Sequence, residues 1–509
     1  MFSWEKEQPE VYGIPAAAVA EFEKQVLSAG VQLHGFLFLQ GRSILAEKYY
    51  EPYGQESLHR MYSVTKSFVA LAVGLLEKEG KIKLGDKICD YFPEYTEQVE
   101  IYPWCREMTI EDMLSMRTCY GGTTYKIYDS EDWTKSFFRV EPDHIPGTVF
   151  SYDTSSSHTL AALVEKLTGK KLLDYLRDKA LRELGFSEEA YIIPDGVGVS
   201  QGGSGMMSTL RDVACAAYLC NHYGWLEGRE LLPEAYIRKA VSNLVPTDLQ
   251  PVQDEQCGYG YFFWMPREEG FCMYGMGGQL ALCFPKKDFC LLTMADTIGN
   301  QAGMQILYDC FYHFVYPYLQ ERPLDNSKAF VEKCDAGKPA GMEGVNAHGP
   351  AAAFQLPGAV FQGIGGGRYR FYPNAMKLTT LEYGGRGREQ QSGREEMELR
   401  LCRGGDEYCF SFYMGGWKEG VFPYSNMRCR CRGDWKQGHL ILRVHLVDEE
   451  QGHLILDVAF RDERIGVRVG STNEPYFKGL RGFASAWPEQ SGNPQETDTA
   501  NSQDCGKAW

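Results

Sequence analysis

Neither a C-x-x-C pair nor an H-E-x-x-H segment occurs anywhere in the 509 residues, so no structural metal is expected. No uninterrupted apolar run reaches the ~18 residues that would span a bilayer. The first fifteen residues, MFSWEKEQPEVYGIP, have neither the basic start nor the apolar core of a secretory signal. Basic residues are also in short supply, with 52 Lys and Arg against 68 Asp and Glu, a formal net charge of -16. That balance argues against nucleic acid or an anionic membrane as the main partner. The expectation is a cytoplasmic protein. Its sixteen cysteines lie inside apolar segments such as LALCFP and KICDYF and read as buried, reduced thiols. Cys429 and Cys431 flank Arg430 and fit alternating strand positions better than metal ligands.

The hydrophobic fraction of 44% is ample for packed cores, and the length allows two to four domains. Residues 15–29 place Val19, Phe22 and Val26 at helical spacing. GFLFLQ and SILAEKYYEP flank Gly41-Arg42 and read as two antiparallel strands joined by a tight turn. The middle of the chain is mostly helical: residues 64–79 ended by Gly80, then MTIEDMLSM and HTLAALVEKLTG. From residue 258 three strand-like runs follow, GYGYFFW, GMGGQLALCFP and FCLLTMAD, and then a helix with Leu307, Cys310, Phe311 and Phe314 on one face. This order predicts one sheet built from both ends of a domain, with a helical insertion between.

Residues 338–353 are rich in Gly, Ala and Pro and read as a linker between a domain over 1–337 and a β-rich domain over 354–486. In the latter, GHLILRVHL at 438–446 is nearly repeated as GHLILDVAF at 452–460, the pattern of two meander strands. His439 and His453 open these repeats and are weak metal candidates. Residues 487–509 are polar and aperiodic and read as a disordered tail.

The candidate chemistry lies in HRMYSVTKSFVALAV, residues 59–73, where Ser63 and Lys66 stand three apart as a hydrophobic run begins. A serine hydroxyl needs a base to be a nucleophile at neutral pH, and a lysine serves only if its pKa falls well below about 10.4. With Ser63 at a helix start, Lys66 lies one turn on and on the same face. On its own S-x-x-K is a weak signal, matched by a helix cap followed by a solvated lysine.

The longer text HRMYSVTKSFVALAVGLLEKEGKIKLGDKICDYFPEY resembles the nucleophile region of the serine β-lactamase and penicillin-recognising superfamily. The similarity is to its class C-like branch of esterases, D-amino-acid peptidases and nylon-oligomer hydrolases, with Leu84, Asp86, Tyr91, Pro93 and Glu94 in the downstream segment. The resemblance implies an α+β serine β-lactamase/transpeptidase-like fold, an antiparallel sheet flanked by helices beside an all-helical subdomain, followed here by the C-terminal antiparallel β domain. It implies Ser63 as nucleophile, Lys66 as base and, in PGTVFSYDTSSSHTLAALVEKLTG, Tyr152 and Thr154 as the second motif. Tyr152 would share a proton with Lys66, a phenolate beside an ammonium, and protonate the leaving group. Many relatives carry asparagine at the place of Thr154, and the exchange removes an amide contact to substrate.

For the third motif, Met273-Tyr274-Gly275 with the Met276 N–H as oxyanion donor is favoured, and a register ending at Gly278 and Gln279 stays open. Penicillin-recognising relatives have Lys or His at its first position. Met273 and Met276 are uncharged, which points to a small, neutral ester or amide as substrate. QGGSGMMSTLRDVACAAYLC is similar to the family's glycine-rich loop and helix, with Gly203 and Gly205 packed near the pocket and Ser208 or Thr209 as helix cap; Ser204 lacks an adjacent base. No cofactor is expected. The alternatives are a D-amino-acid peptidase, a weak β-lactamase, or a non-catalytic ligand sensor on the same fold.

Overall fold

The computed structural model describes residues 2–97, 100–297, 300, 302–322, 366–388, 395–425, 427–447, 451–471 and 477–489. The expected linker at 338–353 lies outside these residues, as does nearly all of the expected tail.

The first sheet has six strands in the order Glu5–Lys6, Ser43–Tyr49, Gln32–Gln40, Phe289–Asp296, Gln279–Phe284 and Phe271–Gly275. All neighbours are antiparallel except the two-residue strand at the edge. Strands from both ends of the domain therefore interleave, as the sequence order suggested. Helices Ala16–Ser28 and Gly303–Phe314 pack together on one face, with Phe22 against Phe36 and Phe38, and Phe311 against Phe284 and Phe289. Helix Leu210–Asn221 covers the other face. With helices on both sides, the central strands are buried on both faces, which is why they read as unbroken apolar runs rather than alternating ones.

One expected strand is absent. GYGYFFW at 258–264 makes only isolated bridges, with Gly258 at φ +118° and Phe262 at φ +60°, and the edge strand is Phe271–Gly275 instead. All seven of its residues are buried, so the run is apolar because it is a buried aromatic loop, and apolarity alone did not distinguish the two.

Helix Val64–Lys78 runs through the centre of the domain with every residue from Val64 to Leu76 buried. It packs on helices Thr154–Thr168 and Leu172–Lys179 and on the edge strand Phe271–Gly275. Residues hydrophobic on all sides suit such a core helix, and Lys66 is the charged exception.

The second sheet has ten strands between Gly367 and Pro488. A parallel pairing of Tyr413 with Arg432 and Met414 with Gly433 joins strand Asp406–Met414 to strand Arg428–Lys436 and closes the sheet into a barrel. The two near-repeats pair antiparallel with Leu440 opposite Val458, Leu442 opposite Leu456 and Val444 opposite Leu454, all directed inward. Cys429 and Cys431 are both inward-facing positions of one strand, and every cysteine among the described residues is free. His439 Nδ1 donates to the Asp457 carboxylate at 2.6 Å, while His453 stands opposite His445; no cluster that could hold a metal occurs among the described residues.

The barrel's outer face rests on the first domain. Arg464 pairs with Glu107 at 2.8 Å, Lys436 with Asp248 at 2.6 Å, the Ile145 N–H donates to Ser485 Oγ at 2.8 Å, and the rings of His144 and Phe483 stack at 4.6 Å. No helix among the described residues is long and apolar enough to cross a membrane.

Candidate active site

The site starts from a strained turn. Tyr62, immediately before Ser63, has φ +46°, a left-handed conformation costly for a bulky residue. The turn is held by Thr65, whose hydroxyl donates to Tyr62 O at 2.6 Å and accepts from Met206 N–H at 3.1 Å. Ser63 occupies the N-cap position of helix Val64–Lys78 but its side chain makes no capping bond, so the hydroxyl is left for other partners.

That partner is Lys66. Its Nζ stands 2.9 Å from Ser63 Oγ and donates to the Gly203 carbonyl at 2.7 Å. Only 1% of the lysine is exposed. Burial pulls its pKa down to about 7, opposed by Asp153 and assisted by Lys126. The amine is therefore neutral for a substantial part of the time at neutral pH. Gly203 is a glycine because its backbone lies so close to Thr154 that a Cβ would overlap the threonine methyl and carbonyl.

Tyr152 completes the group. Its ring centre is 4.9 Å from Lys66 Nζ, and burial raises its pKa while the hydrogen bond with Ser63 opposes the rise. Lys66 moves down and Tyr152 moves up. Desolvation disfavours both charges and so favours a phenol beside an amine over the phenolate beside an ammonium that the resemblance implied. The ring is held by Trp264, stacked at 5.6 Å, and by Tyr259 at 6.4 Å, both from the aromatic loop that replaced the expected strand.

Thr154 is the first residue of helix Thr154–Thr168 and its side chain lies against Gly203. The N-cap is Asp153, whose carboxylate accepts from Ser155 N–H at 2.8 Å and Ser156 N–H at 3.0 Å. Burial raises its pKa to about 6. Asp153 was missed in the sequence, although D-T-S-S ahead of an apolar run is a capping signal. Its carboxylate is the charge that most favours protonated Lys66.

At the edge strand, a Cβ on Gly275 would overlap the Met61 carbonyl oxygen, so glycine lets the strand end approach the turn that carries Ser63. Met276 follows directly, with its side chain 51% exposed. Gln279, from the alternative register, is turned into the hairpin: its amide donates to Met276 O and Ala295 O, both at 2.9 Å. The geometry brings Gly275 against the turn that carries Ser63, and Met276 is the next residue of the chain. Tyr274, between Met273 and Gly275, donates to buried Glu255, a pair the sequence did not reveal because its members come from separate loops.

The other motif residues are structural. Tyr91 donates to Asp86 at 2.6 Å, and Thr209, not Ser208, caps helix Leu210–Asn221 in a reciprocal box with Asp212. Gly205 packs on Gln201, and the Ser204 N–H donates to the Gln201 carbonyl at 3.1 Å.

Residues 4–304 match the model of the family described as Beta-lactamase. The chain belongs to the beta-lactamase family. Its fold is accordingly the β-lactamase/transpeptidase-like one, a sheet flanked by helices with a helical part, extended here by a C-terminal barrel. Among curated relatives it is similar to a 6-aminohexanoate-dimer hydrolase of Paenarthrobacter ureafaciens, 23% identical over 222 residues, 41% of this chain and 56% of that protein. It is also similar to Protein flp of Staphylococcus aureus (strain MW2), 24% identical over 133 residues, 25% of this chain and 26% of that protein. The chain thus spans about half of the first relative and a quarter of the second. Among solved structures, a 6-aminohexanoate-dimer hydrolase from Bacillus anthracis, itself titled putative, superposes with a TM-score of 0.48 at 18% identity, covering 62% of this chain and 86% of that one.

Proposed function

We propose that the protein is a serine hydrolase that cleaves an ester or amide through an acyl-enzyme. The observation that carries this reading is a buried lysine, brought to a pKa of about 7, with its Nζ 2.9 Å from the hydroxyl of a serine that caps nothing. A perturbed amine aimed at a hydroxyl is the pairing that nucleophilic catalysis requires.

In this mechanism neutral Lys66 takes the proton of Ser63 Oγ as the oxygen attacks the carbonyl carbon. The oxyanion is held by the backbone N–H groups of Ser63 and Met276, an interaction typically worth about 3 kcal/mol in the transition state. Tyr152, a phenol, gives its proton to the leaving group and recovers one from Lys66. Water then attacks the acyl-enzyme by the same route in reverse and releases the acid. Thr154 and Gly275 line the carbonyl's approach. Met273 and Met276 supply no cation, so the edge strand recognises a neutral part of the substrate.

The test is acylation of the full-length protein by a fluorophosphonate, located by peptide mass. Modification of Ser63 that is lost in Ser63→Ala supports the reading; a folded protein that remains unmodified contradicts it and favours a ligand-binding role.

A further inference from the structure

A cavity of about 600 Å³ lies between the two domains, and one of its walls is Tyr152. Ser151 and Gly121 continue that wall, while the barrel contributes Arg468, Arg481 and His453. The barrel therefore shares a cavity with Tyr152.

The charge in this cavity has one dominant sign. Asp248, the carboxylate of its lining, is already paired with Lys436 and Arg443. Arg468 donates to the Phe150 carbonyl at 2.8 Å and lies opposite Asp457, whose carboxylate is also bonded to His439. Arg481 is exposed at the cavity, and among the described residues no carboxylate is within ion-pair distance of it. The two arginines line the same cavity, where burial lowers the pKa of Arg468, Asp457 opposes the fall and Arg481 adds to it. A protein of net charge -16 repels anions at long range, so two guanidiniums concentrated beside Tyr152 form a local exception.

We propose that this cavity binds a carboxylate carried by the substrate, with Arg481 as its ion partner and Arg468 as the fixed cation of the wall. The proposal rests on the serine hydrolase reading and names its substrate class: an ester or amide bearing an anionic group remote from the carbonyl that Ser63 attacks. The neutral substrate expected from Met273 and Met276 considered only the first domain. The cation absent from the edge strand is supplied by the barrel, where an arginine fork suits a carboxylate.

Two esters of similar size test it, p-nitrophenyl butyrate and mono-p-nitrophenyl glutarate. The glutarate is expected to have the higher kcat/KM by about tenfold, a preference that shrinks with added salt. Arg481→Gln is expected to lower the anionic-to-neutral ratio about tenfold, and Arg481→Lys to restore part of it. Calorimetric binding of mono-p-nitrophenyl glutarate to the Ser63→Ala protein, weakened about tenfold by adding Arg481→Gln, gives the same answer without turnover. A ratio near one, or a ratio and a binding constant unchanged by Arg481→Gln, overturns the proposal. If the fluorophosphonate modifies Ser63 while the ratio stays near one, only the carboxylate assignment fails; absence of modification marks failure of the hydrolase reading itself.

Discussion

The active site and the barrel treat buried charge in opposite ways. In the barrel, buried Asp457 has His439 beside it, and Asp434 pairs with Arg443 and with the more exposed Arg432. In the first domain Lys66 is just as deeply buried, yet among the described residues it forms no ion pair and is bonded to a hydroxyl and a carbonyl. A paired charge stabilises or specifies a fold, whereas an unpaired one is tolerated where its altered proton affinity is used. The contrast also holds within the first domain, where wholly buried Asp254 is paired with Arg267, and it supports the proposed role of Lys66 in the chemistry.

Breaking the catalytic side gives the largest effect. Ser63→Ala or Lys66→Ala is expected to lower kcat for an activated ester by about 10⁴-fold or more with the fold intact by circular dichroism. Tyr152→Phe removes only the proton donor and is expected to cost about 10²- to 10⁴-fold, with slowed but detectable acylation of Ser63.

Stability sharpens the same contrast with opposite signs. His439→Leu leaves the Asp457 carboxylate buried beside fewer partners and is expected to destabilise the protein by ~3 kcal/mol in denaturant unfolding. Lys66→Met removes the cost of burying an amine and is expected to stabilise it by on the order of 1 kcal/mol, although it abolishes activity. The folded amine binds its proton only below about pH 7 and the unfolded one below about 10.5. Between those values the unfolded chain holds more protons, so the wild type gains stability as pH rises, and the advantage of Lys66→Met, largest at and below pH 7, shrinks toward pH 10.5. The smallest effect is expected for Arg464→Ala at the domain contact: its pair with Glu107 is partly exposed, and ~0.5 kcal/mol is the scale of such bridges.

The domains also differ in how far their sequences could be read. The barrel strands alternate, so the repeated GHLIL segments declared both strand type and inward face, and Leu440, Leu442 and Val444 point inward as that alternation requires. In the first domain, the strands are enclosed on both faces and lose alternation, which is why residues 258–264 passed for a strand. Ser63, Lys66 and Tyr152 were legible through their motifs, and the structure gathers them within one site. Asp153, Glu255 and the Gly203 carbonyl were not read as parts of it, because burial, loop convergence and a main-chain acceptor leave little mark on residue type. The cavity with Arg468 and Arg481 was illegible for the same reason, since it exists only where two domains meet.

The most direct measurement is the rate of Ser63 acylation by a fluorophosphonate as a function of pH, compared between the wild type and Tyr152→Phe. A rate that rises with pH and reaches half its plateau near pH 7 in the wild type identifies the desolvated Lys66 amine as the base. A rate that ignores pH across that range, or climbs only near the pKa of an ordinary lysine, contradicts the account.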